Sequence, residues 1–164
     1  MEASRPGTPA DIGRVAELAR LMRDELAVMK GGGLWSTREA RPEPLEDSYR
    51  ALLDRDDARL VVGTLDDAVV GFGAVVVEVL RSSDRLGVIT DLFVEPEARS
   101  VGLGEVIAGA LVAFCTERQC VGIDALALPG HRAAKNFFEG SGFTARAIVM
   151  HRPAPPTSGP PPQE

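Results

Sequence analysis

Apolar residues follow two different periods along the chain, and the alternation predicts helices interleaved with strands. In the first long segment they recur every three or four residues and so share one face of a helix: Ile12, Val15, Ala19, Met22, Leu26 and Met29. Thr8 or Asp11 is suited to cap this helix, and a short strand is expected before it over residues 4–9. The three glycines at 31–33 predict its end, and a second short helix is expected over residues 45–54.

Runs rich in β-branched residues predict the strands of a sheet. Three such runs follow one another, at residues 59–65, 69–80 and 87–94. A tight turn at Asp66 and Asp67 joins the first two, and Gly71 and Gly73 predict a bend or bulge in the second. Three consecutive antiparallel strands are the simplest arrangement.

The remaining pattern predicts three more elements and a tail. A helix after Gly104 is followed by a strand over residues 121–128, a short helix over 133–139 and a last strand over 143–151. Half of the twelve residues from 153 to 164 are proline, so we expect a disordered tail there. Residues 1–152 are then expected to form a single domain.

A glycine-bearing turn between the central strand and the next helix has the features of an anion-binding site. It contains Arg99, Gly102 and Gly104, and such a turn can point several unpaired backbone N–H groups at one phosphate. The alternative is an ordinary turn with a surface arginine. A dinucleotide-binding fingerprint does not fit, because Ile107 stands where a third glycine is needed. A P-loop is excluded because the chain lacks its Gly-Lys-Ser/Thr.

Composition narrows the classes of partner. The formal net charge of −6 argues against a general affinity for nucleic acid or an anionic membrane, and leaves room for a cationic substrate. No apolar run is long enough to span a membrane, and the N-terminus has no signal-peptide pattern, so we expect a cytoplasmic protein. Cys115 and Cys120 lack the spacing of a zinc or redox pair, and only two histidines are present. We therefore expect reduced, apolar cysteines and no metal site.

The order of elements and two motifs resemble the GCN5-related N-acetyltransferase (GNAT) superfamily, which uses acetyl-coenzyme A. Arg99, Gly102 and Gly104 match its signature, residues 91–97 match the acidic-aromatic run before it, and residues 137–143 match its Phe-Glu-x-x-Gly-Phe block. The resemblance covers residues 3–151. It implies an α/β (α+β) fold with a mixed, mostly antiparallel twisted sheet, flanked by helices and splayed at its central strand.

The resemblance also implies a binding site for acetyl-coenzyme A. Backbone amides of residues 100–105 would receive the pyrophosphate, and the splay would leave main-chain groups of residues 92–94 free for the pantetheine arm. The implied cofactor-binding residues are Leu92, Phe93, Val94, Arg99, Ser100, Val101, Gly102, Leu103, Gly104, Glu105, Lys135, Asn136 and Phe138. Of these, Arg99 is expected to order the turn.

The sequence departs from the family at two positions. Many members carry a tyrosine, the general acid, at the position of Phe138, and phenylalanine has no proton to give. His131 stands where the family has asparagine; it can titrate near neutral pH, or be a surface residue at a helix start. Either another group or water protonates the thiolate, or the protein binds acetyl-coenzyme A without efficient transfer.

The residues themselves offer candidates for the remaining chemistry. Asp91 interrupts an apolar strand and is the first candidate base, although a structural hydrogen bond would also explain it. Glu78 on the facing strand is the second candidate base and Asp124 the third, and His131 is a further catalytic candidate, as acid or base. Trp35, beside the glycine turn, and Tyr49 are candidate substrate contacts; the alternative for Trp35 is packing on the core.

The resulting hypothesis is an N-acetyltransferase that moves an acetyl group directly to a primary amine on a small molecule, amino acid or peptide. The alternative hypothesis is a non-catalytic acetyl-coenzyme A binding or regulatory module. A homodimer is a family expectation.

Overall fold

In the part of the chain that the structure describes, the sheet has five strands, one fewer than the pattern predicts, and the mixed topology that the resemblance implies. The structure, a computed structural model, describes residues 1–157 and 159. The strands are β1 (Glu2–Pro6), β2 (Ala58–Leu65), β3 (Ala68–Val79), β4 (Arg85–Val94) and β5 (Gly122–Ala125). Their spatial order is β1-β2-β3-β4-β5, with antiparallel pairing up to β4 and parallel pairing between β4 and β5. The parallel pair requires a crossover, and a helix supplies it.

Helices cover both faces of the sheet. They are α1 (Ile12–Ala27), α2 (Gly32–Arg38), α3 (Leu45–Leu53), α4 (Leu103–Glu117) and α5 (Arg132–Gly140), with 3-10 turns at Pro9–Asp11 and Pro96–Ala98. Helices α1 to α3 pack with Leu60, Val62 and Phe72 in one core, and α4 packs with Val61 and Val75 in the other. Neighbouring residues of β2 thus serve opposite cores, as a strand's period of two requires.

Helix α4 packs closely on the middle of the sheet because β2 and β3 have glycines where they face it. A Cβ atom at Gly63 would lie 2.6 Å from the Ile107 side chain, and one at Gly73 would lie 2.8 Å from it. Gly71 adjoins the predicted bulge, in which Val70 is the extra residue. This close approach fixes the start of α4 near the end of β4.

The predicted end of the first helix and the predicted last strand are both wrong. Helix α1 ends at Ala27, and Gly32 and Gly33 belong to α2; only Gly31, with φ of 83°, has the left-handed backbone of a helix junction. The predicted strand over residues 143–151 is not formed, and residues 144–157 contain neither helix nor strand. Ile148, Val149 and Met150 are exposed, so the apolar alternation that predicts a strand here has no sheet partner to pair with.

The last described segment touches the sheet through a charged pair. Arg146 donates to Asp124 of β5, with 2.7 Å from Nε to Oδ1. Half of the predicted disordered tail over residues 153–164 lies outside the described residues. None of the described helices is long and apolar enough to cross a membrane, and the described residues contain no group of three His, Cys, Asp or Glu side chains that could hold a metal ion.

The cysteines are free, as predicted. Cys115 is buried at the end of α4, and burial raises the pKa of its thiol to about 11. Cys120 is partly buried. Since the thiolate is the reactive form, burial makes Cys115 a small apolar side chain in the α4 core.

Asp11 anchors the start of α1, and we expect it to make stability depend on acid pH. Two Arg5 nitrogens donate to its carboxylate at 2.7 and 2.9 Å, and the Thr8 N–H donates at 2.8 Å. The Arg5 hydrogen bonds lower the Asp11 pKa to about 2. A carboxylate whose pKa is lower in the folded state than in the unfolded state stabilises the fold at pH values above the unfolded-state pKa. This stabilisation is lost as the pH falls through the folded-state pKa. Asp11→Asn should therefore cost stability at pH 7, and the difference from wild type should shrink between about pH 4 and about pH 2.

Urea unfolding at several pH values measures this effect. Asp57→Asn is the matched control, because Asp57 pairs with Arg55 at an exposed position. A difference between wild type and Asp11→Asn that stays constant from pH 7 to pH 2 would contradict the expectation.

Candidate active site

The sheet opens between β4 and β5, which produces the predicted splay. The two strands pair only from Leu86 to Ile89 of β4, so residues 90–94 have no strand partner on that side among the described residues. The carbonyl oxygens of Asp91 and Phe93 face Gly73 and Gly71 of β3. Because backbone groups alternate along a strand, the N–H and C=O of Leu92 and Val94 point the other way, into the opening.

Fewer backbone groups of residues 92–94 therefore face the opening than the sequence predicts. Phe93 directs its carbonyl to β3 and its side chain into a core, where it is buried. The bulge lies at Thr90, since Val75 pairs with Ile89 and Ala74 pairs with Asp91. The opening thus presents the backbone of Leu92 and Val94 only.

The turn after β4 forms a concave cradle of backbone amides. Ser100 and Gly102 have φ of 74° and 85°, and α4 begins at Leu103. None of the six N–H groups of residues 100–105 donates to the backbone of another described residue. A pocket of about 150 Å³ lies here between Val94 and Glu105, and a Cβ at Gly102 would meet no atom within 4 Å. This arrangement fits a pyrophosphate.

The Arg99 side chain folds back behind the cradle. Its Nε donates to the Val94 carbonyl at 2.8 Å, and its two terminal nitrogens donate to the Glu25 carboxylate at 2.9 and 2.8 Å. The guanidinium also lies 5.3 Å from the centre of the Phe93 ring. Arg99 therefore orders the turn, and the Val94 carbonyl is already engaged.

Helix α5 borders the cradle through its aromatic residues. The Phe137 ring lies against Gly104, 3.4 Å from where a Cβ would be. The Phe138 ring lies edge-on to Phe137 and Phe143, with centroid distances of 5.4 and 5.3 Å. Lys135 and Asn136 are exposed on the same helix, and the Lys135 ammonium lies 3.7 Å from the Glu139 carboxylate.

His131 lies at the junction of the cradle with two helices. It is the residue before α5, half-buried, and close enough to Glu25 and Arg99 for both to influence its charge. Burial lowers its pKa, Glu25 opposes that shift, and Arg99 adds to it. His131 thus lies within electrostatic range of both Glu25 and Arg99.

Asp91 is buried in a hydrogen-bonded network. Its Oδ1 accepts from the Tyr49 hydroxyl at 2.9 Å, and its Oδ2 accepts from Arg41 Nε at 2.9 Å and from the Thr90 hydroxyl at 2.8 Å. Arg41 also donates to Thr90 at 2.8 Å. Both carboxylate oxygens are therefore occupied, which suits a structural anchor better than a base.

The two candidate substrate residues are also core residues. Tyr49 is 1% exposed and Trp35 is 8% exposed, and Trp35 lies on helix α2. Both border a small cavity with Arg41 and Asp91. The structure therefore places both in the wall of this cavity, beside the Asp91 network.

Glu78 lies away from the opening. It is exposed and pairs with Leu86, near the opposite end of β4 from Val94. It lies four positions along β3 from Ala74, which faces Asp91, and that is about 13 Å along a strand. Glu78, the second candidate base, therefore does not lie at the opening of the sheet as expected.

Sequence reasoning missed Arg41 and Glu25. Arg41 reaches its partner across 50 positions of the chain, and no local pattern reveals such a contact. Glu25 does have a local signal: it lies in the last turn of α1, where a negative charge opposes the helix dipole unless a cation compensates it. Arg99 is that cation.

Comparisons with known proteins agree with this geometry. The sequence model described as the Acetyltransferase (GNAT) family matches residues 22–143, so the chain belongs to the GNAT acetyltransferase family. No curated protein matches it significantly.

Solved structures share the fold at low sequence identity. Glucosamine-6-phosphate N-acetyltransferase from Arabidopsis thaliana is 19% identical, with a TM-score of 0.68 over 93% of this chain and 97% of that one. AAC(6')-Iy, in complex with the bisubstrate analogue CoA-S-monomethyl-acetylneamine, is 14% identical, with a TM-score of 0.70 over 94% and 99%. A transcriptional regulator from Bacillus halodurans is 18% identical, with a TM-score of 0.70 over 93% and 100%.

Proposed function

We propose that this protein transfers the acetyl group of acetyl-coenzyme A to a primary amine while both substrates are bound. One observation carries the proposal: the unpaired amides of residues 100–105 adjoin a strand end at which Leu92 and Val94 present backbone groups to an open edge. An anion cradle that continues into an unpaired strand edge suits a ligand with a diphosphate and an extended amide-bearing arm.

Different residues of the chain would bind different parts of acetyl-coenzyme A. The amides of Ser100 to Glu105 would hold the pyrophosphate, with the dipole of α4 favouring its charge. Leu92 and the Val94 N–H would pair with the pantetheine arm, and Phe138 would border it. Lys135 and Asn136, exposed on α5 beside the cradle, would contact the phosphates or the arm.

A neutral amine would attack the thioester carbonyl carbon of bound acetyl-coenzyme A. The C–N bond would form, the C–S bond would break, and coenzyme A would leave as a thiolate that takes its proton from water. Backbone N–H groups at the opening, from Leu92 or Val94, would stabilise negative charge developing on the carbonyl oxygen. Asp91 is fully engaged by Tyr49, Arg41 and Thr90. We therefore assign removal of the amine proton to water, and to Asp91 the role of holding the wall of the acceptor cleft.

The missing tyrosine favours a second candidate function. Phe138 packs among Phe137 and Phe143 and offers no proton. A protein that binds acetyl-coenzyme A without efficient transfer, as a regulatory module, would have the same cradle. The structural likeness to a protein described as a transcriptional regulator is compatible with this alternative.

Thiol release distinguishes the two candidates. The full chain is incubated with acetyl-coenzyme A and one amine at a time: glucosamine 6-phosphate, neamine, lysine or a peptide with a free N-terminus. We expect at least one amine to raise thiol release above the rate without amine, and the rate to rise with pH because only the neutral amine attacks.

Coenzyme A binding, measured by calorimetry, completes this test. Binding without turnover on any amine would support the regulatory module in place of the enzyme. A chain that binds no coenzyme A would contradict both functions.

A further inference from the structure

Three parts of the fold meet at the Arg99 side chain, directly behind the cradle. Arg99 Nε holds the carbonyl of Val94, the last residue of β4. Both terminal nitrogens of Arg99 bind the two oxygens of Glu25, in the last turn of α1. The hydrogen bonds from Arg99 lower the Glu25 pKa, so the carboxylate stays charged. Arg99 therefore has few donors left for a ligand.

The two hydrogen bonds from Arg99 to Glu25 fix the orientation of the guanidinium as well as its distance from the carboxylate. Two parallel N–H···O bonds hold the plane of the guanidinium to the plane of the carboxylate. The residue directly after Arg99 is Ser100, whose φ of 74° is in the region that non-glycine residues seldom adopt. The orientation of the arginine thus bears on the backbone that begins the cradle.

We infer that Glu25 is a positioning residue for the cradle: it holds Arg99 so that the amides of residues 100–105 converge on one diphosphate. The inference rests on the proposed binding of acetyl-coenzyme A. Glu25 does not line the open pocket, so the route of its effect is its contact with Arg99.

The ion pair between Arg99 and Glu25 contributes little to global stability. An effect of the pair on ligand binding can therefore be measured separately from an effect on folding. The side chains are 39% and 32% exposed, and ion pairs at such exposure contribute about 0–1 kcal/mol. The remainder of α1 is held by its buried apolar face. Loss of Glu25 should therefore leave the fold intact and change the cradle.

The test compares Glu25→Gln with Glu17→Gln by calorimetric titration with coenzyme A. Glu17 lies on the same helix and pairs with Arg14 at 3.1 Å, so it controls for loss of an exposed α1 ion pair. We expect Glu25→Gln to raise the Kd about fivefold, and Glu17→Gln to leave it unchanged, with similar melting temperatures for all three proteins. Where turnover is measurable, the KM for acetyl-coenzyme A should rise while kcat changes little.

A double-mutant cycle with Arg99→Gln tests the route of the effect. If Glu25 acts through Arg99, the double variant should bind no more weakly than Arg99→Gln alone. Unchanged binding by Glu25→Gln would overturn the inference, and tighter binding would too, since Glu25 would then compete with phosphate for Arg99. Failure of the wild type to bind coenzyme A would instead contradict the proposed function.

Discussion

Asp91→Asn is expected to lower the free energy of unfolding by about 3 kcal/mol, because removal of one partner leaves a buried charge uncompensated. The Asp91 and Arg41 side chains are 4% and 17% exposed, and Arg41 also lies over the Tyr49 ring. An asparagine amide would retain one acceptor for the three donors that Asp91 now satisfies. For a chain of this length, the loss corresponds to a fall in Tm of roughly 6–12 °C.

Thermal unfolding of matched variants isolates this effect. Asp124→Asn breaks the pair with Arg146, whose side chain is 67% exposed, and should cost less than about 1 kcal/mol. Tyr49→Phe removes one of the three hydrogen bonds and should cost about 1 kcal/mol. An Asp91→Asn variant that melts within about 2 °C of the wild type would contradict the buried-pair account.

The sequence predicts the cradle well because its determinants are local. Strand β4, the turn and helix α4 follow one another directly, so a β-branched run, two glycines and a helical period suffice to predict them. The tight turn at Asp66 and Asp67 is a similar case: both residues have positive φ, as its hairpin type requires.

The surroundings of the cradle could not be predicted in the same way. Arg99 and Glu25 are 74 positions apart, and Arg41 and Asp91 are 50 apart. Such contacts depend on how helices α1 to α3 pack on the sheet, and hydrophobic periodicity defines a buried face without its exact neighbours. Asp91 can be polar in an apolar strand because Arg41 and Tyr49, which are distant in the sequence, bind its carboxylate.

The predicted strand over residues 143–151 is a different kind of error. Its alternation of apolar and polar residues is genuine, but a strand forms only against a partner edge. Among the described strands β5 pairs with β4 alone, and the last segment contacts β5 through the Arg146 side chain without pairing its backbone to it. A pattern of period two therefore predicted the capacity to form a strand, and tertiary pairing decided the outcome.

Gly102→Val should weaken coenzyme A binding by about tenfold or more, because two separate properties of this glycine serve the cradle. Its φ of 85° lies in the left-handed region, where a β-branched residue is strained by about 1–3 kcal/mol. Its position also adjoins open space, where a Cβ would meet no protein atom within 4 Å. That space is where the proposed diphosphate would approach the amides of α4, so relief of the strain and bulk of the side chain both oppose binding.

Gly109→Ala is the matched control on the same helix. A Cβ at Gly109 also meets nothing within 4 Å, but Gly109 lies inside α4 and has an ordinary helical φ. Alanine there should stabilise the helix by about 0.5–1 kcal/mol and leave the Kd for coenzyme A unchanged. Calorimetric titration of both variants, with circular dichroism to verify the fold, compares the two positions. If Gly102→Val bound coenzyme A as tightly as Gly109→Ala does, the diphosphate would have to lie elsewhere, and the assignment of residues 100–105 as its binding site would be wrong.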